Sequence, residues 1–201
     1  LQQFILKKMG RTWDDVGNER ATMEDIDRVA IDYFLRKATD AQRIVPTSLN
    51  ADTAQVLQSL GLIDDDGHLK NAALLLFGKN PLKFFPCVEF RIGRFGENES
   101  DLMFQDSIEG NIIQMTDKVM EVLKSKYLIS PIHYKGLQRI EPLEIPEGAL
   151  REMIFNSIIH KDYTGVHIQM KVYNDRLVLW NDGVLPEGYT IETLLGDHAS
   201  K

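Results

Sequence analysis

Apolar residues in this chain change their period several times, and each change marks an element. Ile26, Val29, Ala30, Tyr33 and Phe34 recur at helical steps, which predicts a helix over residues 23–38. Thr22 with Asp25 reads as an acidic capping box at its start. A second helix is expected over residues 51–60, with Asn50 as its cap and Gly61 as its stop. Asp64–Gly67 reads as a turn, and Asn71–Phe77 as a short apolar helix closed by Gly78 and Pro81. Val88–Phe95 alternates apolar and polar residues, the mark of a strand with one buried face. A polar loop over residues 96–101 should lead into a long amphipathic helix from Ile108 to Tyr127, with Ile112, Met115, Val119, Val122 and Leu123 on one side. Ser130–Gly136 reads as a loop. Arg139–Ile145 reads as an extended segment interrupted by Pro142.

The next run, Pro146–Tyr163, predicts a helix that opens with proline in its first turn. Leu150, Met153, Ile154, Ile158 and Ile159 supply its apolar positions. Glu152, Asn156 and His160 stand four apart, so they line one side of it. Polar groups in a row on an otherwise apolar helix must be hydrogen-bonded or used. His167–Tyr173 and Arg176–Trp180 then read as two strands of a hairpin joined by Asn174–Asp175. A turn-rich loop starts at Asn181–Asp182–Gly183, and Thr190–Leu195 would be a short helix. The fold class expected is α+β, with a helical N-terminal connector over residues 1–85 and an α/β region over residues 86–201.

Composition narrows the function classes. The chain has 201 residues, 43% hydrophobic and 26% charged, with a net charge of −7, as in an ordered globular protein. Three short helices before a strand could make a winged helix-turn-helix, but charge opposes it. Thr12–Asp66 holds twelve acids and five bases, the wrong sign for a surface that neutralises phosphates. DNA contact is therefore expected only through regions outside this chain. The single cysteine, Cys87, reads as a small core residue; it fits a reducing, cytoplasmic setting. No run is long and apolar enough to span a bilayer. The chain starts at Leu1 without Met and stops at Lys201 without closing a core element, so it is expected to be part of a longer protein.

Several chemistries lack their motifs. Phe77-Gly-Lys-Asn-Pro81 is the nearest approach to a P-loop, and it lacks the first glycine and the hydroxyl residue. No motor of that type is encoded here. The histidines at 68, 133, 160, 167 and 198 are scattered, without paired metal-ligand spacing. No nucleophile elbow is present.

The order of the Glu152–His160 helix, the hairpin and the Asn181–Asp182–Gly183 loop resembles the Bergerat-type (GHKL) ATP-binding fold of gyrase, a class of heat-shock chaperones and the histidine kinases. That resemblance implies ATP and Mg as cofactors. Asn156 would help hold the magnesium bridging the phosphates, and Glu152 stands where hydrolysing members activate water. Asn181, Asp182 and Gly183 align with the loop that receives adenine, with His160 beside them; Asn181 stands where that family has an acid.

A narrower set of residues carries a second resemblance. Ala149–Tyr163, Asn174-Asp-Arg-Leu177 and Asn181–Thr190, with Asn71–Pro81 and Ile108–Asn111 in the connector, are similar to a bacterial family. Its members are described as RecG-related ATP-dependent helicases or transcriptional regulators. They place a Schlafen-like AlbA-type domain first, then a helical connector, then a degenerate Bergerat-like region. The resemblance implies a vestigial ATPase of GHKL type, truncated before its glycine-rich lid. The other expectation is a non-enzymatic dimerisation module serving a DNA-binding domain absent from this chain.

The same residues also have structural readings. Glu152 and Asn156 could cap backbone or pair with Arg151 or Lys161. His160 could be a hydrogen-bonded boundary histidine, Lys161 a polar helix end, and Asp182–Gly183 a turn. Trp180 is expected on the core face of its strand, and Arg91 and Arg94 on a solvated face.

Overall fold

Thr22 and Asp25 do form a box, the Asp25 carboxylate accepting the Thr22 N–H at 2.9 Å. It closes only a single turn, Met23–Asp25. Helix α1, Arg28–Asp40, starts beyond it, because Asp27 is a second cap whose carboxylate accepts the Val29 N–H at 2.9 Å. The later start leaves Val29, expected inside, 64% exposed, while Ala30, Ile31 and Leu35 are buried. The computed structural model describes residues 10–44, 51–128, 133–135, 138–140 and 145–183. Helix α2, Thr53–Ser59, is boxed by Asp52, whose N–H donates to Gln55 Oε1 at 3.2 Å; the expected cap, Asn50, lies outside the described residues. Gly61 ends it at φ +67°. Helix α3 is Asn71–Phe77, as its apolar run predicts.

Strand β1, Glu89–Phe95, pairs antiparallel with β2, Leu102–Glu109. Here the long helix expected from Ile108 starts later than read, because Ile108 lies opposite Phe90 in the ladder. The break comes at Gly110, at φ +123°. Asn111 then caps helix α4, Ile112–Val122, by accepting the Gln114 N–H at 3.3 Å. A π-helical turn, Leu123–Tyr127, closes α4. β3, His133–Lys135, falls within the expected Ser130–Gly136 loop and pairs antiparallel with β4, Gln138–Ile140. Helix α5, Glu147–Ile159, follows, then β5, Ile168–Val172, and β6, Leu177–Trp180. The main sheet runs β2-β1-β5-β6. Among the described residues its only parallel pair is β1 with β5; β5 and β6 form the expected hairpin. Helices and one mixed four-stranded sheet make the class α+β. The Thr190–Leu195 helix lies outside the described residues.

One sheet face carries the buried residues Phe90, Ile92, Ile168, Met170 and Val172. They form a continuous cluster with Met115, Val119 and Leu123 of α4 and its π turn, and with Leu150, Ile154 and Ile158 of α5. Ile26, Ala30, Leu57, Leu74 and Phe77 belong to the same cluster, so the core is continuous across residue 85. Trp180 is not on this face. The β5–β6 register sets Leu179 opposite Met170 and Trp180 opposite Gln169, which leaves Trp180 46% exposed. Nor is Arg94 merely solvated: its guanidinium donates to the Tyr173 carbonyl at 2.9 Å and to the Asn174 amide. No helix among the described residues is long and apolar enough to cross a membrane.

Candidate functional site

Helix α5 has a buried side and an exposed side. Leu150, Ile154, Ser157 and Ile158 are buried in the core. Glu152, Asn156 and His160 run along a second side, as their spacing predicts. The Asn156 amide donates to Glu152 Oε1 at 3.0 Å. That bond turns Asn156 Oδ1 away from the carboxylate. Phe155 and Ile159, each 48% exposed, interleave with Glu152 and Asn156 on that same exposed side, although Ile159 is among the apolar positions expected of the helix. Successive residues turn about 100° around a helix, so Ile159 sits roughly opposite the buried Leu150 and Ile154.

The loop that follows is tied down by a buried amine. Lys161 is only 7% exposed. Its ammonium donates to the Asp162 carbonyl at 2.8 Å and to the Val166 carbonyl. Burial holds this amine below the ordinary lysine range. Lys161 is thus a buried clamp at the polar helix end. The Tyr163 hydroxyl donates to the Ile158 carbonyl at 2.8 Å, and the Cys87 thiol donates to the Tyr163 carbonyl at 2.7 Å. Burial raises both acids above their ordinary values. Cys87 is therefore a buried, protonated thiol, in keeping with a core role.

This clamped loop meets the Asn181–Asp182–Gly183 segment. The Asp162 N–H donates to the Asp182 carbonyl at 2.6 Å. The Val166 N–H reaches Asp182 Oδ2 at 3.4 Å. A Cβ on Gly183 would lie 2.8 Å from the His160 carbonyl oxygen, so only glycine permits that approach. The tertiary fold therefore brings His160, Asn181, Asp182 and Gly183 to the C-terminal end of α5. Glu152 lies eight residues back along the helix, about 12 Å at 1.5 Å per residue, with Asn156 between.

Beside the Phe155 face lies a cleft of about 260 Å³. Leu76 of α3, Ile112 and Ile113 of α4, and Phe155 and Ile159 of α5 form its apolar walls, and Glu152 lines it too. Across it, Asp117 joins three helices. It accepts from the Tyr33 hydroxyl and, at 2.6 Å, from Arg151 Nη2. Burial and the Asp117 bond push the Tyr33 phenol up to about 12. Burial also opposes ionisation of Asp117, but bonds from Tyr33 and Arg151 outweigh it and leave the carboxyl below its usual range. The Tyr33–Asp117–Arg151 junction escapes sequence reasoning, which offers Arg151 only as a partner of Glu152 or Asn156. The one available sign is the pair Phe155 and Ile159, a second apolar stripe four residues apart and off the Ile154–Ile158 side.

The acidic turn also gathers potential ligands: atoms of Asp64, Asp66 and His68 lie within 4.8 Å of one another. Asp64 Oδ1 is already used within the turn, accepting the N–H groups of Asp66 at 3.1 Å and His68 at 2.7 Å. This is what a self-capped turn requires.

Three comparisons place the chain among known proteins. Residues 4–89 match a family described as a domain of unknown function, DUF8451. No curated protein matches the chain. Among solved structures, the DIP2311 protein of Corynebacterium diphtheriae is similar over 98% of this chain, with a TM-score of 0.68 and 20% identity. The chain spans 39% of that protein's length. At that identity the likeness is one of fold alone.

Proposed function

We propose that α5 and the Asn181–Gly183 loop form a residual Mg-ATP site. In this reading the chain is the connector and Bergerat-like part of a cytoplasmic, RecG-related transcriptional regulator or helicase-like protein. The observation that carries it is the Asn156–Glu152 bond at 3.0 Å, on the helix whose end receives the Asn181–Gly183 loop. In this reading Asn156 Oδ1 would meet a phosphate-bound Mg, and Glu152, one turn away, would activate a water. Asn181 offers an amide oxygen to an exocyclic amine, and His160 and Gly183 stand beside it. DNA would be met by regions outside this chain.

Calorimetry with Mg-ATP on the native chain and on Asn156→Ala tests the site. Binding abolished by the substitution supports it. No heat and no change in melting temperature at saturating Mg-ATP sinks it.

A separate observation favours the second reading, a dimerisation module. Leu102, Met103 and Phe104 on the edge strand β2 are 46%, 63% and 36% exposed. Unpaired edges with apolar side chains invite strand pairing between chains. Light scattering should show a dimer that Met103→Lys dissociates; a monomer at high concentration removes this reading.

A further inference from the structure

The cleft between α1, α3, α4 and α5 has a chemistry of its own. Its walls are Leu76, Ile112, Ile113, Phe155 and Ile159, and two of these, Phe155 and Ile159, remain 48% exposed. Large apolar side chains half in water around a concavity mark a binding site more often than a packing defect. Ligand cavities for drug-sized molecules start at roughly 300 Å³; about 260 Å³ suits something smaller, one ring and a short chain.

Charge decides the rest. Asp117 and Arg151 neutralise each other at 2.6 Å, and the Tyr33 hydroxyl is spent on the same carboxylate. Lys37 stands 5.5 Å from the Tyr33 ring centroid and does not line the cleft. Glu152 is the remaining charge on the lining. Among the described residues it has no ion-pair partner, and its one bond comes from the neutral Asn156 amide. The Phe155 ring, three residues further along, lines the same cleft, and an aromatic ring attracts a cation. An apolar slot with one uncompensated carboxylate selects a cation and rejects an anion.

We propose that this cleft binds a small aromatic ring bearing a cationic amine. The ring packs against Ile112, Ile113, Phe155 and Ile159, and the ammonium rests on Glu152. The proposal goes beyond the nucleotide reading and does not depend on it, since a protein blind to ATP can still hold such an amine.

The test is a titration of the chain, carrying labelled isoleucine methyl groups, with 2-phenylethylamine and, separately, 3-phenylpropionate, without nucleotide. The amine should shift Ile112, Ile113 and Ile159, with a dissociation constant on the order of 1 mM, and leave the buried Ile154 still. The carboxylate analogue should bind at least about fivefold more weakly, the ratio that corresponds to roughly 1 kcal/mol. Glu152→Gln, an exposed change that leaves the core intact, should erase that difference, and Phe155→Ala should weaken the amine. Three results overturn the proposal: no shift of the cleft methyls up to about 10 mM amine, equal binding of both ligands, or a preference for the amine that survives Glu152→Gln.

Discussion

The Asp162 N–H donates to the Asp182 carbonyl across 2.6 Å, which ties the end of α5 to the loop after β6. The same junction places Gly183 against the His160 carbonyl, where a Cβ would stand 2.8 Å from the oxygen. Gly183→Ala should cost about 1–3 kcal/mol, the range for forced overpacking. It should also speed hydrogen exchange at the Asp162 amide. Gly148→Ala at the start of α5 is the control, since nothing lies within 4 Å of the Cβ it would add. Equal stabilities of the two variants in urea would show that the His160 approach does not constrain residue 183.

Two isoleucines five residues apart on α5 should answer differently to truncation. Ile154 is fully buried, and Ile159 is 48% exposed. Ile154→Ala should destabilise by about 2–5 kcal/mol through lost burial and the cavity left behind. Ile159→Ala should cost under about 1 kcal/mol. Chemical denaturation of both variants checks the assignment of the two faces; similar costs would refute it.

Tyr33 makes a prediction at alkaline pH. Its phenol rises from 10.0 to about 12 through burial and the Asp117 bond. A folded pKa above the unfolded one stabilises fully below pH 10, and the contribution is lost as pH climbs toward 12. Tyr33→Phe should therefore flatten part of the fall in stability between those two values. Tyr127 and Tyr163, also raised by burial, add to the same fall. Phenolate absorbance should show one fewer late-titrating tyrosine in the variant.

Asp117 works at the other end of the scale. Its folded pKa lies below 3.8, because bonds from Tyr33 and Arg151 outweigh burial. The contribution is present above that unfolded value and is lost as pH falls through the folded one. Asp117→Asn should remove this acid dependence and weaken the Arg151 contact, read as a shallower slope of stability below pH 3.8.

Lys161 is predicted to be irreplaceable by arginine. Lys161→Met leaves the Asp162 and Val166 carbonyls without their buried donor, at a cost of about 1–3 kcal/mol. The wider guanidinium of Lys161→Arg should not recover it. Full recovery by arginine in thermal denaturation would mean the amine is not enclosed as described.

Local rules made much of the architecture readable in advance. The Asn71–Phe77 helix, the β5–β6 hairpin and α5 all show a period their neighbours do not share, and each formed where that period runs. The misses are equally local in origin. Asp27 and Asp52 displaced the expected caps because several acids and amides compete near each helix start. Strand β2 went unread because Leu102, Met103 and Phe104 lie on an exposed edge, where no alternation is required. Gly110 and Asn111 were the available signals that strand, not helix, precedes α4.

The row Glu152, Asn156 and His160, and the glycine of Asn181–Gly183, follow from residue spacing and turn chemistry, which act over one or two turns of chain. Which surfaces those residues face does not. The Tyr33–Asp117–Arg151 junction joins residues up to 118 positions apart in the chain, and Lys161 became a buried clamp because the Asp162–Val166 loop folds over it. Burial, the pKa of Tyr33, the cleft and its one uncompensated carboxylate arise from packing between distant segments. Short-range periodicity cannot specify packing, because it sets which side of a helix is apolar and not what that side will meet.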